Sequence, residues 1–237
     1  MNRLRKSIII MKKELASYYT TPIAYIVITV FLVVTGWFFF STFFLYMQAE
    51  LRGFFKLLPI IFSFVIPAVT MRLFSEEEHT GSFEILMTLP VSTFDVVMGK
   101  FLASSLFVTV MLLPTIAYVI TISFAGSLDY GPVVGGYVGA VLLGAAFSSI
   151  GVLASSLTRN QIVAFMICLS ICLTLTLIDK FLFFLPPTIL NFVEYLGADY
   201  HFRNISRGII DFRDIIYFLS VTVIGIIGTI QILEERR

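Results

Sequence analysis

An all-α fold that crosses a membrane six times is what this sequence predicts, and three observations lead there. The first is composition. Hydrophobic side chains make up 58% of the 237 residues and charged ones 13%, against roughly 45–50% and about 25% in soluble domains. A water-soluble core of this size lacks the volume to hide so much apolar surface. The second is length: six charge-free runs recur along the chain, and all but one suffice for a helix across a hydrocarbon layer about 30 Å thick. The third is placement, since no acid lies deep inside any run. A net charge of +1 gives no reason to expect nucleic acid as a partner.

Residues 1–20 come first. Met1, Leu4, Ile8, Met11, Leu15 and Tyr18 recur at three-to-four spacing, while Arg3, Arg5, Lys6, Lys12 and Lys13 occupy the other faces. That pattern predicts a basic amphipathic helix lying in the anionic inner interface of the bilayer. Pro22 marks entry into the first span, within the run 15–49. The second run, 57–71, is short, but Lys56 and Arg72 flank it and can snorkel to the interfaces. Runs 101–128, 130–158, 160–178 and 215–233 supply the other four spans, and Pro67 and Pro114 are placed to bend their helices. The fourth run carries Gly131, Gly135, Gly136, Gly139 and Gly144, extended by Ala140, Ser148 and Gly151. Small residues at such spacing let helices approach closely, and tight packing within one bundle is the expectation here. Residues 181–193 are also uncharged, but Pro186-Pro187 interrupts them. They are predicted to form a re-entrant or interfacial element on the far side. With no internal repeat and no second domain, residues 1–237 read as one transmembrane domain.

Six spans return the chain to the side on which it starts. Ten Lys and Arg fall on the side of the termini against six on the other, which predicts cytoplasmic termini. Much chemistry is excluded. No phosphate-binding loop exists: the only Gly-Lys pair is Gly99-Lys100, preceded by Phe94 where glycine is required and followed by Phe101. His79 and His201 fall on opposite sides, so no metal centre is expected. Cys168 and Cys172 share one face of an apolar helix and are expected to pack. Asp179-Lys180 reads as a boundary ion pair. Without buried ionisable groups for ion coupling, the energy for any transport has to come from outside the chain.

The segment 72–92 departs from its surroundings. Glu76, Glu77, Glu78 and Glu84 stand beside an apolar comb of Phe83, Leu86 and Leu89. Gly81 allows a sharp start, Glu84 suits a first helical turn, and Pro90 stops the helix. A short cytoplasmic helix that docks a soluble partner is the prediction.

On particular residues the chain resembles the membrane subunits of type-two ATP-binding-cassette exporters, in the branch that includes gliding-motility permeases. These are Glu76-Glu77, then Gly81-Ser82-x-Glu84-x-Leu86-x-Thr88-x-Pro90-Val91-Ser92, then Gly99-Lys100. Arg207-Gly208, Asp211-x-Arg213-Asp214 and Tyr217-Phe218 add a second match, and Lys12-Lys13-Glu14-Leu15 with Pro22-x-Ala24-Tyr25 a third. The resemblance extends over essentially the whole chain. It implies a non-catalytic inner-membrane permease, paired with a second copy or homologue and with two cytoplasmic ATPases that hold ATP and magnesium. Segment 76–92 would be the coupling element, with Glu76, Glu77, Gly81, Ser82, Phe83, Glu84, Leu86 and Pro90 meeting the ATPase. Residues 1–20 would be the interfacial gate helix, touching membrane lipids through Arg3, Arg5, Lys6, Lys12 and Lys13. Residues 181–214 would form short helices capping the outer side, with Asp199, Arg203, Arg207, Asp211 and Arg213 in their polar part. The expected function is ATP-driven export or movement of a lipid-like or amphipathic molecule, because the Phe-rich first span suits such a cargo. The alternative is a membrane anchor or assembly subunit of an ATPase-driven machine without solute passage.

Overall fold

The structure, a computed structural model, describes residues 3–46, 51–82, 91–125, 129–180, 194–209 and 211–235. These are helices and connecting turns, with no strand among the described residues. Six helical stretches are long and apolar enough to cross a membrane: Pro22–Ser41, Arg52–Thr80, Thr93–Phe124, Tyr130–Leu157, Gln161–Lys180 and Phe212–Glu235.

Helix α1 (Arg3–Thr20) is separated from α2 (Pro22–Tyr46) by a bend at Thr21. Proline at a first helical position loses no intrahelical bond, so Pro22 starts the span. Helices α3 (Arg52–Thr70) and α4 (Arg72–Thr80) meet at Met71, whose backbone is itself helical (φ −52°, ψ −32°). The second span is therefore 29 residues long rather than a short run. Charge ends a hydrophobic run but not a helix, because Lys, Arg and Glu are good helix formers. The acids Glu76–Glu78 thus extend span two. Gly81 closes this helix: it sits at φ +71° and its N–H bonds to the carbonyl of Glu78, the left-handed cap that glycine adopts at no steric cost.

Helix α5 (Thr93–Leu112) begins with a capping box, in which the Ser92 side chain accepts from the Asp95 N–H while the Asp95 carboxylate accepts from Ser92 N–H. Pro114 turns the chain through a 3₁₀ step, Leu113–Thr115, into α6 (Ile116–Ala125). Side-chain caps also open α7 (Tyr130–Leu157), by Asp129, and α8 (Gln161–Leu177), by Asn160. A 3₁₀ turn at Ile178–Lys180, the short α9 (Ala198–Ser206) and α10 (Phe212–Glu235) complete the order.

Helix α7 is the central post. Its glycines receive neighbours so closely that a Cβ at Gly136 would come within 2.4 Å of the Phe55 ring, and one at Gly151 within 2.0 Å of Thr70 Oγ1. Both contacts lie within the bundle, as the small-residue face predicts. Around α7 the buried apolar side chains form two clusters. One holds Phe31, Phe62, Met111, Phe147, Cys168, Cys172 and Phe218. The other holds Tyr18, Val69, Phe74, Val97, Phe107 and Leu233. The cysteines are free thiols packed in that core. Trp37, Ile162, Phe212 and Ile224 point outward, as large apolar groups do where the solvent is lipid. Because the second cluster contains Tyr18 from α1 and Leu233 from α10, both ends of the described chain lie at one end of the bundle. That end is called proximal below, and the opposite one distal.

Candidate functional site

At the proximal end α1 is docked along α5. Ile10 meets Gly99, where an added Cβ would lie 2.7 Å from the isoleucine Cβ and 3.0 Å from the Ser7 carbonyl oxygen. Eight residues further along both helices Tyr18 meets Phe107, with ring centroids 5.2 Å apart. The two helices therefore run side by side. The buried face of α1 includes Ser7 and Tyr18, with Ile10, Met11 and Leu15 partly covered. Ile8, placed on the apolar stripe by spacing, is instead 44% exposed together with Ile9. Docking on a protein neighbour rotates the buried face by about one residue. Arg5, Lys12 and Lys13 are exposed and Lys6 is half-buried; the side chain of Arg3 lies outside the described residues.

One residue beyond the Gly99 crossing, the centre of this junction is Lys100. Its side chain is 1% exposed, and its ammonium reaches Glu77 Oε1 at 2.9 Å, Glu14 Oε1 at 3.2 Å and the Leu73 carbonyl at 2.5 Å. These three acceptors match the three donors of a lysine ammonium, and the Phe74 ring lies 4.9 Å away. A single buried cation thus ties α1, α4 and α5 together. Removing one partner of such a group leaves an uncompensated buried charge.

The joint between α3 and α4 is built by α7. The Ser155 hydroxyl accepts from the N–H groups of Phe74 (2.9 Å) and Ser75 (3.1 Å) and donates to the Met71 carbonyl (2.9 Å). A side chain inserted into the helical ladder is a recognised cause of a bend. Tyr18 adds a further tie: its hydroxyl donates to the Val69 carbonyl at 3.3 Å, and the Arg72 guanidinium lies 5.1 Å from its ring centre. Burial pushes the Tyr18 pKa up and Glu14 adds to this, outweighing Arg72, so the phenol stays neutral. Between α1 and α4 a cleft of about 260 Å³ is lined by Lys13, Glu14, Arg72, Glu76, Glu77 and Ser82.

The acids of the 72–92 segment therefore divide. Glu77 meets a cation of its own chain, Lys100. Glu78 lies 3.9 Å from the exposed Arg159. Glu76 is exposed and faces the cleft, and Ser82 shares a hydrogen bond with Thr80. Phe83, Glu84, Leu86 and Pro90 lie outside the described residues, as does the re-entrant element expected at 181–193.

The distal end has a second polar centre. Arg203 donates to Asp179 (2.5 Å) and to Asp199 (2.7 Å), so the partner of Asp179 is Arg203 and not the adjacent Lys180. Burial works against the arginine's charge, but the hydrogen bonds and charges of Asp199 and Asp179 outweigh it and raise its pKa. Asp199 and Arg203 on α9 and Arg207 just past its end recur every fourth residue and line a pocket of about 540 Å³. Asp211 and Arg213 do not line that pocket; the Asp211 carboxylate accepts from the Arg213 N–H at the start of α10. Beside it His201, fully buried, bonds through Nδ1 to Asp214 (2.6 Å) and through Nε2 to the Tyr195 carbonyl (2.9 Å), and stacks on Tyr217. No metal-binding group of three ligands occurs among the described residues.

Sequence reasoning missed the roles of Glu14, Lys100, Ser155 and His201. A signal existed for Lys100, which is the sole charge between Asp95 and Asp129. A lysine standing alone in an apolar helix needs a counter-ion nearby. No comparable signal marks Ser155.

No curated protein shows a significant match to the chain. A family model described as ABC-2 family transporter protein matches residues 8–202, from α1 through Lys100 to the distal α9. With six membrane-crossing helices and a match over most of its length, this multi-pass membrane protein belongs to the ABC-2 transporter family, as a permease subunit of an ABC transporter.

Proposed function

We propose that this permease takes up the ATP-driven closure of a separate cytoplasmic ATPase pair through residues 76–92 and converts it into movement of its spans. ATP and magnesium belong to that partner. A second permease copy or homologue completes the complex in the inner membrane, and a lipid-like or amphipathic molecule is exported or moved, in the manner of the gliding-motility branch. The observation that carries this reading is the Lys100 centre. Helix α4 leads directly into residues 83–90, and Lys100 binds α4 to α1 and α5 through Glu77 and Glu14. A push on that segment is thereby shared among the second span, the third span and the N-terminal helix. The shared location of the two chain ends supports cytoplasmic termini, together with the ten-to-six distribution of basic residues. The apolar core, with Phe31, Phe55, Phe62 and Phe147 fully buried, leaves cargo to pass along a wall or seam between subunits, which suits an amphipathic molecule.

The test is coupling. Wild type and Phe83→Ala/Leu86→Ala are co-expressed with the ATPase, and co-purification and permease-dependent ATP hydrolysis are measured. Truncating buried interface anchors costs on the order of 2 kcal/mol or more, roughly 30-fold in affinity, so the double variant loses the ATPase while still inserting. Full retention of coupling in that variant would refute the docking role of the comb.

A further inference from the structure

We infer that the distal pocket is a binding site for a phosphate-bearing headgroup. Five cationic side chains line it, Arg52, Lys56, Lys180, Arg203 and Arg207, against two carboxylates, Asp179 and Asp199. Both carboxylates are already engaged by Arg203. The excess is therefore three positive charges. The undescribed segments that adjoin Arg52 and Lys180 along the chain, 47–50 and 181–193, contain one acid, Glu50; counting it still leaves two.

These cations converge from separate parts of the chain. Arg52 and Lys56 project from the first turns of α3, Lys180 ends the turn after α8, Arg203 comes from α9 and Arg207 caps its end. Among the described residues Lys56, Lys180 and Arg207 have no ion-pair partner, and all three are exposed at the rim. Arg203 stands apart from them because two aspartates hold its guanidinium in place. Phe202, itself buried, supplies an apolar wall. Like charges brought together from three segments repel one another unless an anion lies between them. Phosphate is the anion that arginine and lysine recognise best, the guanidinium by paired N–H donors and the ammonium as a point charge. The volume of about 540 Å³ accommodates a headgroup, and the site lies at the distal ends of spans two and five, where a phospholipid of that leaflet presents its phosphate. This inference rests on the pocket's own chemistry and on membrane residence, independently of ATPase coupling.

Two sources share the chemistry, a phospholipid and a soluble phosphate ester, and the experiment separates them. Wild type and Lys56→Ala/Arg207→Ala are purified from nanodiscs of phosphatidylcholine with one-fifth phosphatidylglycerol, and retained lipid is counted by native mass spectrometry. Both substitutions are at exposed rim positions, so the fold is kept; an unchanged melting curve verifies this. Each cation near an anionic lipid surface contributes roughly a factor of five, so the double variant should hold phosphatidylglycerol roughly 30-fold more weakly. The control Arg159→Ala, an exposed cation at the other end of the molecule, should leave this retention unchanged. In a second arm glycerol 3-phosphate is titrated into detergent-solubilised protein. Saturable binding there, lost in Lys56→Ala/Arg207→Ala and without preferential phosphatidylglycerol retention, assigns the site to a soluble ester. Equal retention of phosphatidylglycerol by wild type and variant, with no ester binding, overturns the inference.

Discussion

The two ends of the bundle use the same ionic unit, one cation between two carboxylates, to different effect. Proximally, Lys100 lies between Glu14 and Glu77 with 1% of its side chain exposed. Distally, Arg203 lies between Asp179 and Asp199 with 42% exposed. Water decides what each unit is worth. A buried cation depends on its partners, and losing it leaves their two charges facing each other with no cation between them. A cation open to water gains little from pairing, because solvent competes for both members. The proximal unit therefore fastens helices, whereas the distal one orients a side chain at the wall of an open pocket.

Breaking the proximal unit should produce the largest loss. Lys100→Met leaves Glu14 and Glu77 facing one another without their cation, and about 3–5 kcal/mol of destabilisation is expected. The midpoint of unfolding in mixed detergent micelles reads this directly. Adding Glu77→Gln to the same chain should restore part of the loss; a double variant as unstable as the single one would mean that Glu77 is not the charge Lys100 holds.

A smaller effect should come from prying α1 away without touching a charge. Gly99→Ala pushes a methyl group to within 2.7 Å of Ile10 and 3.0 Å of the Ser7 carbonyl. Overpacking of this kind costs typically about 1–3 kcal/mol. Faster proteolysis at the basic residues of α1, measured beside the unfolding midpoint, would show whether α1 has undocked. An unchanged midpoint and an unchanged digestion pattern together would mean that the close crossing contributes nothing to the junction.

The least should follow from Arg203→Ala. Asp179 and Asp199 are 9% and 7% exposed, but removing the half-exposed guanidinium opens them to the adjoining pocket, so water can replace it and a loss of about 1 kcal/mol or less is expected. If that substitution destabilised the protein as much as Lys100→Met, the contrast between a dry and a wet ionic unit would fail. The distal unit would then be structural as well.

Much of this molecule was legible along the chain. Six spans, the break at Pro114 and the glycine face of α7 all follow from sequence, because hydrophobic length, proline's restriction and side-chain volume act within a few residues of the backbone they shape. Family membership is legible for the same reason: its motif residues stand at fixed local spacing. The charged residues were read less well. The acidic run gave no hint that Glu77 meets Lys100, and Asp179 looked paired with its neighbour Lys180. Local charge pattern says which residues need a counter-ion, but not which one they find.

That choice belongs to the tertiary structure. Lys100 reaches back to Glu14 because Gly99 lets α1 lie against α5, and it reaches Glu77 because span two continues as a helix past Met71. Arg203 finds Asp179 because α9 folds back over the end of α8. The sequence alone determined how many segments can cross a membrane, since transfer of apolar length into lipid is a property of each segment by itself. Packing decided which charges meet, since an ion pair is a property of two segments and of the distance between them.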